Sequence, residues 1–427
     1  MNAPAVRAGI VVTGTEVVAG RVRDRNGPWI SERLGELGVD VIDILCVPDR
    51  PGDLDAALRF LAAQGVELIV TSGGLGPTAD DLTAEVVAGF AGRELVLDQG
   101  MEEKIARVLA GFARRLRFDA DALRAANRKQ AMVPRGAAAI DPAGTAPGLV
   151  VPTDGPTVIV LPGPPRELQA MWPAALESEP ASAVLSRATP FRGYTLRLIG
   201  IPESEIAKTL REVEEGTDLS AVEITTCLRG GELEVDVRHR EGAEAAAEAV
   251  RTAVRERHGR YLFSEDGTTI DEQVALLLRG RWVGLAESCS GGLLAARLTQ
   301  RPGASEYVAG SVVAYSNQAK SDLLGVDPGL IERHGAVSPQ VAEAMAEGAL
   351  ERFQADVAVS VTGIAGPGGG TDEKPVGYVC FCAKLTGGSS LARDPVIPGS
   401  RQDIRERSAL VALHMLRILL GGGEAPL

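Results

Sequence analysis

Three stretches in the last third of the chain carry residue types suited to attack on a carbonyl. Ala286-Glu287-Ser288-Cys289-Ser290-Gly291-Gly292 follows an apolar run and precedes a helical pattern. It reads as a strand-to-helix turn, where free backbone amides at Ser290 to Gly292 can stabilise an oxyanion. Cys289 is a nucleophile by type, but a thiolate normally needs a histidine or another stabilising partner. The four histidines (His239, His258, His334, His414) all lie outside the loop motifs. A serine needs a base too, and a lysine can serve once burial or a neighbouring cation lowers its pKa. Tyr315-Ser316-Asn317-Gln318-Ala319-Lys320 offers one just beyond a strand pattern ending at Ala314, although spacing alone reads Lys320 as an exposed lysine at a helix start. Thr362-Gly363-Ile364-Ala365-Gly366-Pro367-Gly368-Gly369-Gly370 follows a buried-type strand, as a backbone-lined substrate loop would. An unliganded flexible loop is the alternative.

A second group of loops lies near the N-terminus, each after a strand pattern, where open α/β sheets bind ligands. They are Gly14-Thr15-Glu16 with Asn26 beyond it, Ser72 to Asp81, and Leu161-Pro162-Gly163-Pro164-Pro165. Gly73, Gly74 and Gly76 let backbone amides approach a phosphate. Asp80 and Asp81, close after Thr78, would repel a bare phosphate, and a divalent cation between them reverses that sign. The competing reading is that Asp80 or Asp81 caps a helix over Leu82 to Phe90. From Met101 to Arg135 nine Lys/Arg face four Asp/Glu, which is either a solvated helix face or a patch that attracts a phosphorylated ligand.

These loops need a frame. At 427 residues the chain has room for about three domains of ~150 residues. Only 4% of it is aromatic, which suits α/β layers rather than an aromatic-rich sandwich. Strand patterns at Gly9–Val12, Val39–Leu45, Leu68–Val70 and Val158–Leu161 alternate with helical patterns such as Pro28–Leu37 and Asp53–Gln64. After Trp172 the order becomes β-α-β-β-α-β: Tyr194–Ile199, Pro202–Val213, Val222–Leu228, Leu233–His239, Ala243–Arg257 and Tyr261–Phe263. That is the ferredoxin-like split, here with neither paired aromatics nor a basic stripe for RNA. From Thr268 the alternation resumes, with strands at Trp282–Ala286, Val308–Ala314, Val357–Val361 and Val376–Phe381, and helices at Gly291–Thr299, Pro339–Phe353 and Gln402–Leu420.

Lys+Arg 44 against Asp+Glu 57 leaves a net charge of -13, which argues against direct nucleic-acid or anionic-membrane binding. Five cysteines, Cys46, Cys227, Cys289, Cys380 and Cys382, are scattered and odd in number, so no disulfide framework is expected. The longest apolar stretch, Ala409 to Leu420, is interrupted by His414 and Arg417 and falls short of the ~18 residues of a membrane span. The start lacks a signal-peptide pattern, and a cytoplasmic protein is expected.

The motifs then add up. GTEVVAGRVRDRN, SGGLGPTADDLT, NRKQAMVPRGA, GTAPG and LPGPPREL resemble the N-terminal molybdopterin-binding-like domain of the CinA family, the competence/damage-inducible proteins. AESCSGG, GSVVAYSNQAKSDLLGV, GAVSPQVAEAMAEGA and TGIAGPGGGTDEKPVG resemble its C-terminal nicotinamide-nucleotide deamidase domain, in the same order and over essentially the full length. The resemblance implies two α/β/α domains, at 1–175 and 266–427, flanking a small α+β ferredoxin/KH-like domain at 176–265. It implies hydrolysis of nicotinamide mononucleotide (NMN) to nicotinate mononucleotide and ammonia, in pyridine-nucleotide salvage, and a metal-dependent ADP-ribose pyrophosphatase. Ser288 falls on the family's nucleophile, Tyr315 on its helper, Lys320 on its base, Thr362 and Gly363 on its substrate loop, and Arg405, with Arg401 competing, on a substrate-binding arginine. Ser290 stands where the family usually has threonine. A homodimer without a nucleic-acid or membrane partner is expected; the deamidase domain needs no cofactor and the N-terminal domain a divalent metal ion of unknown identity. The rival readings are a molybdopterin-binding enzyme acting on a nucleotidyl group, and a non-catalytic competence scaffold.

Overall fold

The structure, a computed structural model, describes residues 6–113 and 120–422. It divides into two compact units between Phe191 and Arg192. In the first, the strands Asp40–Val47, Arg7–Thr13, Leu68–Ser72 and Thr157–Leu161 lie side by side and parallel. Leu68–Ser72 and Thr157–Leu161 are buried along their whole length. This explains their continuous rather than alternating apolar sequence: helices cover both faces. Each Val, Ile or Leu so buried contributes ~1.5–3 kcal/mol.

Two short strands absent from the sequence reading extend this sheet, Gly148–Val151 antiparallel to Thr157–Leu161 and Ala138–Ile140 antiparallel to Gly148–Val151. Their connections are too short for a crossover helix, which leaves only the antiparallel arrangement. In the basic stretch, Lys104 pairs with Asp141 and Arg135 with Glu94, while Lys129 donates to the Thr78 carbonyl. Arg114, Arg115 and Arg117 lie outside the described residues.

The second unit holds two sheets. The strands Val222–Arg229, Glu232–His239, Arg192–Ile199 and Leu262–Ser264 form an antiparallel sheet in that order. With the helices Glu203–Gly216 and Glu244–His258 this is the β-α-β-β-α-β split. It shares a core with the C-terminal elements, because Ile199 and Phe263 pack with Ile270, Val274, Leu413 and Leu416. The His414 ring, 0% exposed, meets Glu232 at 2.8 Å and Phe263 edge-on.

The other sheet runs Val308–Val313, Val283–Glu287, Val357–Gly363, Val379–Leu385 and Ser390–Arg393, the first three parallel and each of the last two antiparallel to the strand before it. The fourth strand starts later than the apolar pattern from Val376 suggests. Gly377 has φ 95 and its N–H donates to the Ile364 carbonyl, so the chain is still turning there. The helix Arg401–Gly421 begins with a capping box in which the Ser400 and Asp403 side chains take each other's backbone N–H. Among the described residues no helix is long and apolar enough to cross a membrane.

Candidate functional site

Val283–Glu287 and Val308–Val313 are adjacent parallel strands, so the residues after each emerge at one edge of the sheet. Ser288 follows the first. After the second comes the helix Asn317–Leu324, whose N-cap Ser316 accepts from the Ala319 amide. That helix turns Lys320 back over the edge. Lys320 Nζ lies 3.0 Å from Ser288 Oγ and 2.8 Å from the Ala314 carbonyl. At 1% exposure Lys320 is not the surface lysine that spacing suggests. Burial pushes its pKa down, and the opposing influence comes from Cys289 rather than from a carboxylate. A neutral amine in this position donates to Ala314 and accepts the Ser288 proton.

Cys289 is buried, and desolvation pushes its thiol up to about 11. Burial thus favours the protonated thiol, the poorly nucleophilic form, at neutral pH. Glu287, 0% exposed, was not singled out in the sequence. Its carboxylate accepts from Ser290 Oγ at 2.8 Å, from the amides of Gly292, Leu294 and Ala295 at 3.0, 3.1 and 2.9 Å, and from Ser311 Oγ at 3.3 Å. It thereby satisfies orphan donors at the start of the helix Leu293–Thr299. The available signal was a charged residue ending an apolar strand just before a glycine-rich helix start.

This arrangement redistributes the donors of the turn. Ser290 Oγ and the Gly292 N–H are spent on Glu287, and the Gly291 N–H donates to the Ser288 carbonyl at 3.0 Å. Among the described residues, the N–H groups of Cys289 and Ser290 have no oxygen acceptor. Of the expected donors Ser290 to Gly292 only the Ser290 N–H stays open to an oxygen, and the Cys289 N–H joins it.

A cavity of about 260 Å³ opens beside Ser288, lined by Lys320, Tyr315, Val337, Thr362, Gly363, Arg401 and the loop from Ile364 to Gly369. The Thr362 hydroxyl donates to the Ala336 carbonyl at 2.8 Å, tying the substrate-type loop to the segment before the helix Pro339–Phe353. A Cβ on Gly363 would stand 3.0 Å from Cys289 Sγ and 2.7 Å from Val379 Cγ2, so only glycine fits. Tyr315 is 59% exposed, and its hydroxyl accepts from Arg401 Nη2 at 2.8 Å. Arg401 also holds the Gly366 carbonyl at 2.6 Å. The two competing arginines thus separate: Arg401 faces the cavity, whereas Arg405 donates to the carbonyls of Cys289 and Ser290 behind the nucleophile.

In the first unit the three predicted loops converge. A cavity of about 330 Å³ is lined by Gly14, Glu16, Gly73, Gly74, Gly76, Asp80, Asp81 and Gly163, joined by Asp49, Thr145 and Glu167, which the sequence did not single out. Asn26 is buried between Ser72 Oγ and the Gly163 carbonyl, at 2.8 and 2.7 Å, and lines an adjoining cavity of about 540 Å³ with Arg23 and Arg25. A Cβ on Gly73 would stand 2.5 Å from Thr13 Oγ1, and its φ of 109 also requires glycine.

The helix after Asp81 is Thr83–Phe90 and has no side-chain cap, so the capping reading of Asp80 and Asp81 is not realised. Both carboxylates instead converge on the Thr78 hydroxyl. That hydrogen bond and its own backbone N–H hold the Asp80 carboxyl below its ordinary value, helped by Lys129. Burial raises Glu167. The Thr78 hydroxyl has one proton for two carboxylates, the Thr78 N–H adds one donor to Asp81 at 2.9 Å, and no Lys or Arg lines this cavity. Among the described residues no three His, Cys, Asp or Glu form a closed metal cage. A hard cation held by one or two carboxylates and completed by phosphate oxygens and water fits this donor set.

Residues 268–420 match the family described as CinA C-terminal domain, and residues 9–180 that described as probable molybdopterin binding domain. A CinA-like protein of Mycolicibacterium vanbaalenii is 58% identical over 419 residues, covering 98% of this chain and 99% of its own. One of Mycobacterium tuberculosis is 57% identical over 427 residues, with the same shares covered. A crystal structure described as competence/damage inducible protein CihA from Agrobacterium tumefaciens is 42% identical, covers 37% of this chain and 99% of its own, and has a TM-score of 0.34.

Proposed function

The chain belongs to the CinA family, and from that premise we propose that its second unit hydrolyses the carboxamide of NMN. The observation that carries this reading is the 3.0 Å contact between Ser288 Oγ and a buried Lys320 with no carboxylate to keep it charged. Ser288 Oγ bonds to the carboxamide carbon as its proton passes to Lys320 Nζ, and the carbonyl electron pair moves onto oxygen, facing the N–H groups of Cys289 and Ser290. Collapse breaks the C–N bond, and ammonia leaves with the proton from Lys320. Water then attacks the nicotinoyl ester with Lys320 again as base, releasing nicotinate mononucleotide and restoring Ser288. Tyr315 orients the proton path, and Arg401, at the cavity wall, meets the substrate phosphate with paired donors. Ammonia release from NMN by the purified protein tests the reading, and a Ser288→Ala protein that still releases it would refute the assignment.

For the first unit we propose metal-dependent hydrolysis of ADP-ribose. The supporting observation is a cavity lined by Glu16, Asp49, Asp80, Asp81 and Glu167 with no cation of its own. Asp80 and Asp81 would hold the ion, which when bound offsets the charge of the pyrophosphate. The glycines of the loop let backbone approach the phosphates. Release of AMP from ADP-ribose, measured with and without added divalent cation, is the test.

A further inference from the structure

The turn that carries Ser288 is gripped from behind by a cation. Arg405, one turn into the helix Arg401–Gly421, donates from Nε to the Cys289 carbonyl at 3.2 Å and from Nη2 to the Ser290 carbonyl at 3.0 Å. Gly291 has φ 61, and a Cβ there would stand 3.1 Å from Nη2, so glycine keeps this edge open to the guanidinium. In a trans peptide the C=O and N–H of one plane point opposite ways. A donor fixed on the Cys289 carbonyl therefore aims the Ser290 N–H away from Arg405.

The second grip acts through one more plane. The Ser290 carbonyl shares its peptide with the Gly291 N–H, which donates to the Ser288 carbonyl at 3.0 Å. That carbonyl in turn shares its peptide with the Cys289 N–H. The two chains thus start at one guanidinium and end at the two amides of the turn that meet no oxygen acceptor and have only the weakly accepting Cys289 sulfur beside them. Each hydrogen bond in such a chain polarises the next, and a full positive charge at its head strengthens the terminal donors.

We infer that Arg405 is a positioning residue for oxyanion stabilisation, orienting and polarising the N–H groups of Cys289 and Ser290 rather than binding the substrate phosphate. The inference rests on the amide-hydrolysis reading above, and it departs from the substrate-binding role that the family resemblance assigns to this arginine. The phosphate contact is left to Arg401.

The test measures kcat and KM on NMN, on the nucleoside lacking its phosphate, and on a nitrophenyl ester of nicotinic acid. Arg405→Gln should lower kcat about 10- to 100-fold on all three, with KM within about twofold. The preference for NMN over the nucleoside should stay unchanged. Arg405→Lys, able to reach one carbonyl, should recover part of the loss. A rise in KM confined to NMN with kcat intact would overturn the inference, as would an unchanged kcat on the ester. If the wild-type protein cleaves the ester but not NMN, the substrate reading fails while the ester rates still decide the role of Arg405; cleavage of neither sinks both. Should circular dichroism show that Arg405→Gln does not fold, the same comparison is made with Arg405→Lys, where a kcat equal to wild type on every substrate would overturn the proposal.

Discussion

Lys320 and Ser288, 32 positions apart in the chain, meet at 3.0 Å between Nζ and Oγ in a place where the lysine is 1% exposed. The contact exists because two parallel strands deliver the residues that come after them to the same edge of one sheet. It ties the pH behaviour of the site to the burial of a single amine.

Activity should therefore rise with pH. Burial lowers the Lys320 pKa from 10.5, and the reaction needs the neutral amine. Below the lowered pKa the ammonium form dominates, and kcat/KM should fall about tenfold per pH unit. Lys320→Arg keeps the charge but cannot release a proton, so it should be inactive at every pH. A kcat/KM profile that is flat or falling with pH through the accessible alkaline range would contradict this.

Ser288→Ala should lose about 10³-fold or more in kcat, and the double variant with Lys320→Ala should be little worse, because the two act as a unit. Cys289→Ala should keep most activity. Its thiol, pushed up to about 11, only packs, and removing the sulfur costs stability of about 1 kcal/mol. The reverse pattern of losses would move the nucleophile to the cysteine.

Arg401→Ala should raise KM for NMN, by about 30-fold for a lost charged contact worth ~2 kcal/mol. KM for the nucleoside should change little. An equal effect on both substrates would mean that Arg401 serves only the Tyr315 hydroxyl and the Gly366 carbonyl.

Glu287→Gln should destabilise the fold rather than alter substrate affinity. The amide offers one acceptor oxygen where the carboxylate serves five donors. Leaving buried donors unsatisfied costs about 1–3 kcal/mol each, and thermal unfolding would show a loss of about 3 kcal/mol or more. A variant with wild-type Tm would show that water replaces these bonds.

Asp81→Asn should abolish ADP-ribose cleavage and leave ammonia release from NMN intact, since the two cavities lie in separate compact units. A chelator should have the same selective effect. Undiminished ADP-ribose cleavage in the chelator would remove the metal from the proposal.

Much of this protein was legible in one dimension, for local reasons. Apolar runs mark strands buried on both faces, turn residues mark their ends, and the β-α-β-β-α-β order of the small sheet comes from spacing alone. The glycine-rich loops that line both cavities could be placed because each directly succeeds a strand end, whereas Asp49, Thr145, Glu167 and Val337 join them only through the fold. Burial and donor accounting could not be read in this way, because they depend on what arrives from elsewhere in the chain. Lys320 looks like a surface lysine until the strand Val308–Val313 packs beside Val283–Glu287 and brings it against Ser288. Glu287 looks like the end of a strand until five donors converge on it. Arg401 and Arg405 lie on neighbouring turns of one helix, yet one faces a cavity and the other grips the back of a turn 115 residues away. Charge and type are properties of a residue; solvent exclusion and an open hydrogen-bond donor belong to the folded surroundings, and those decided which groups are free to react.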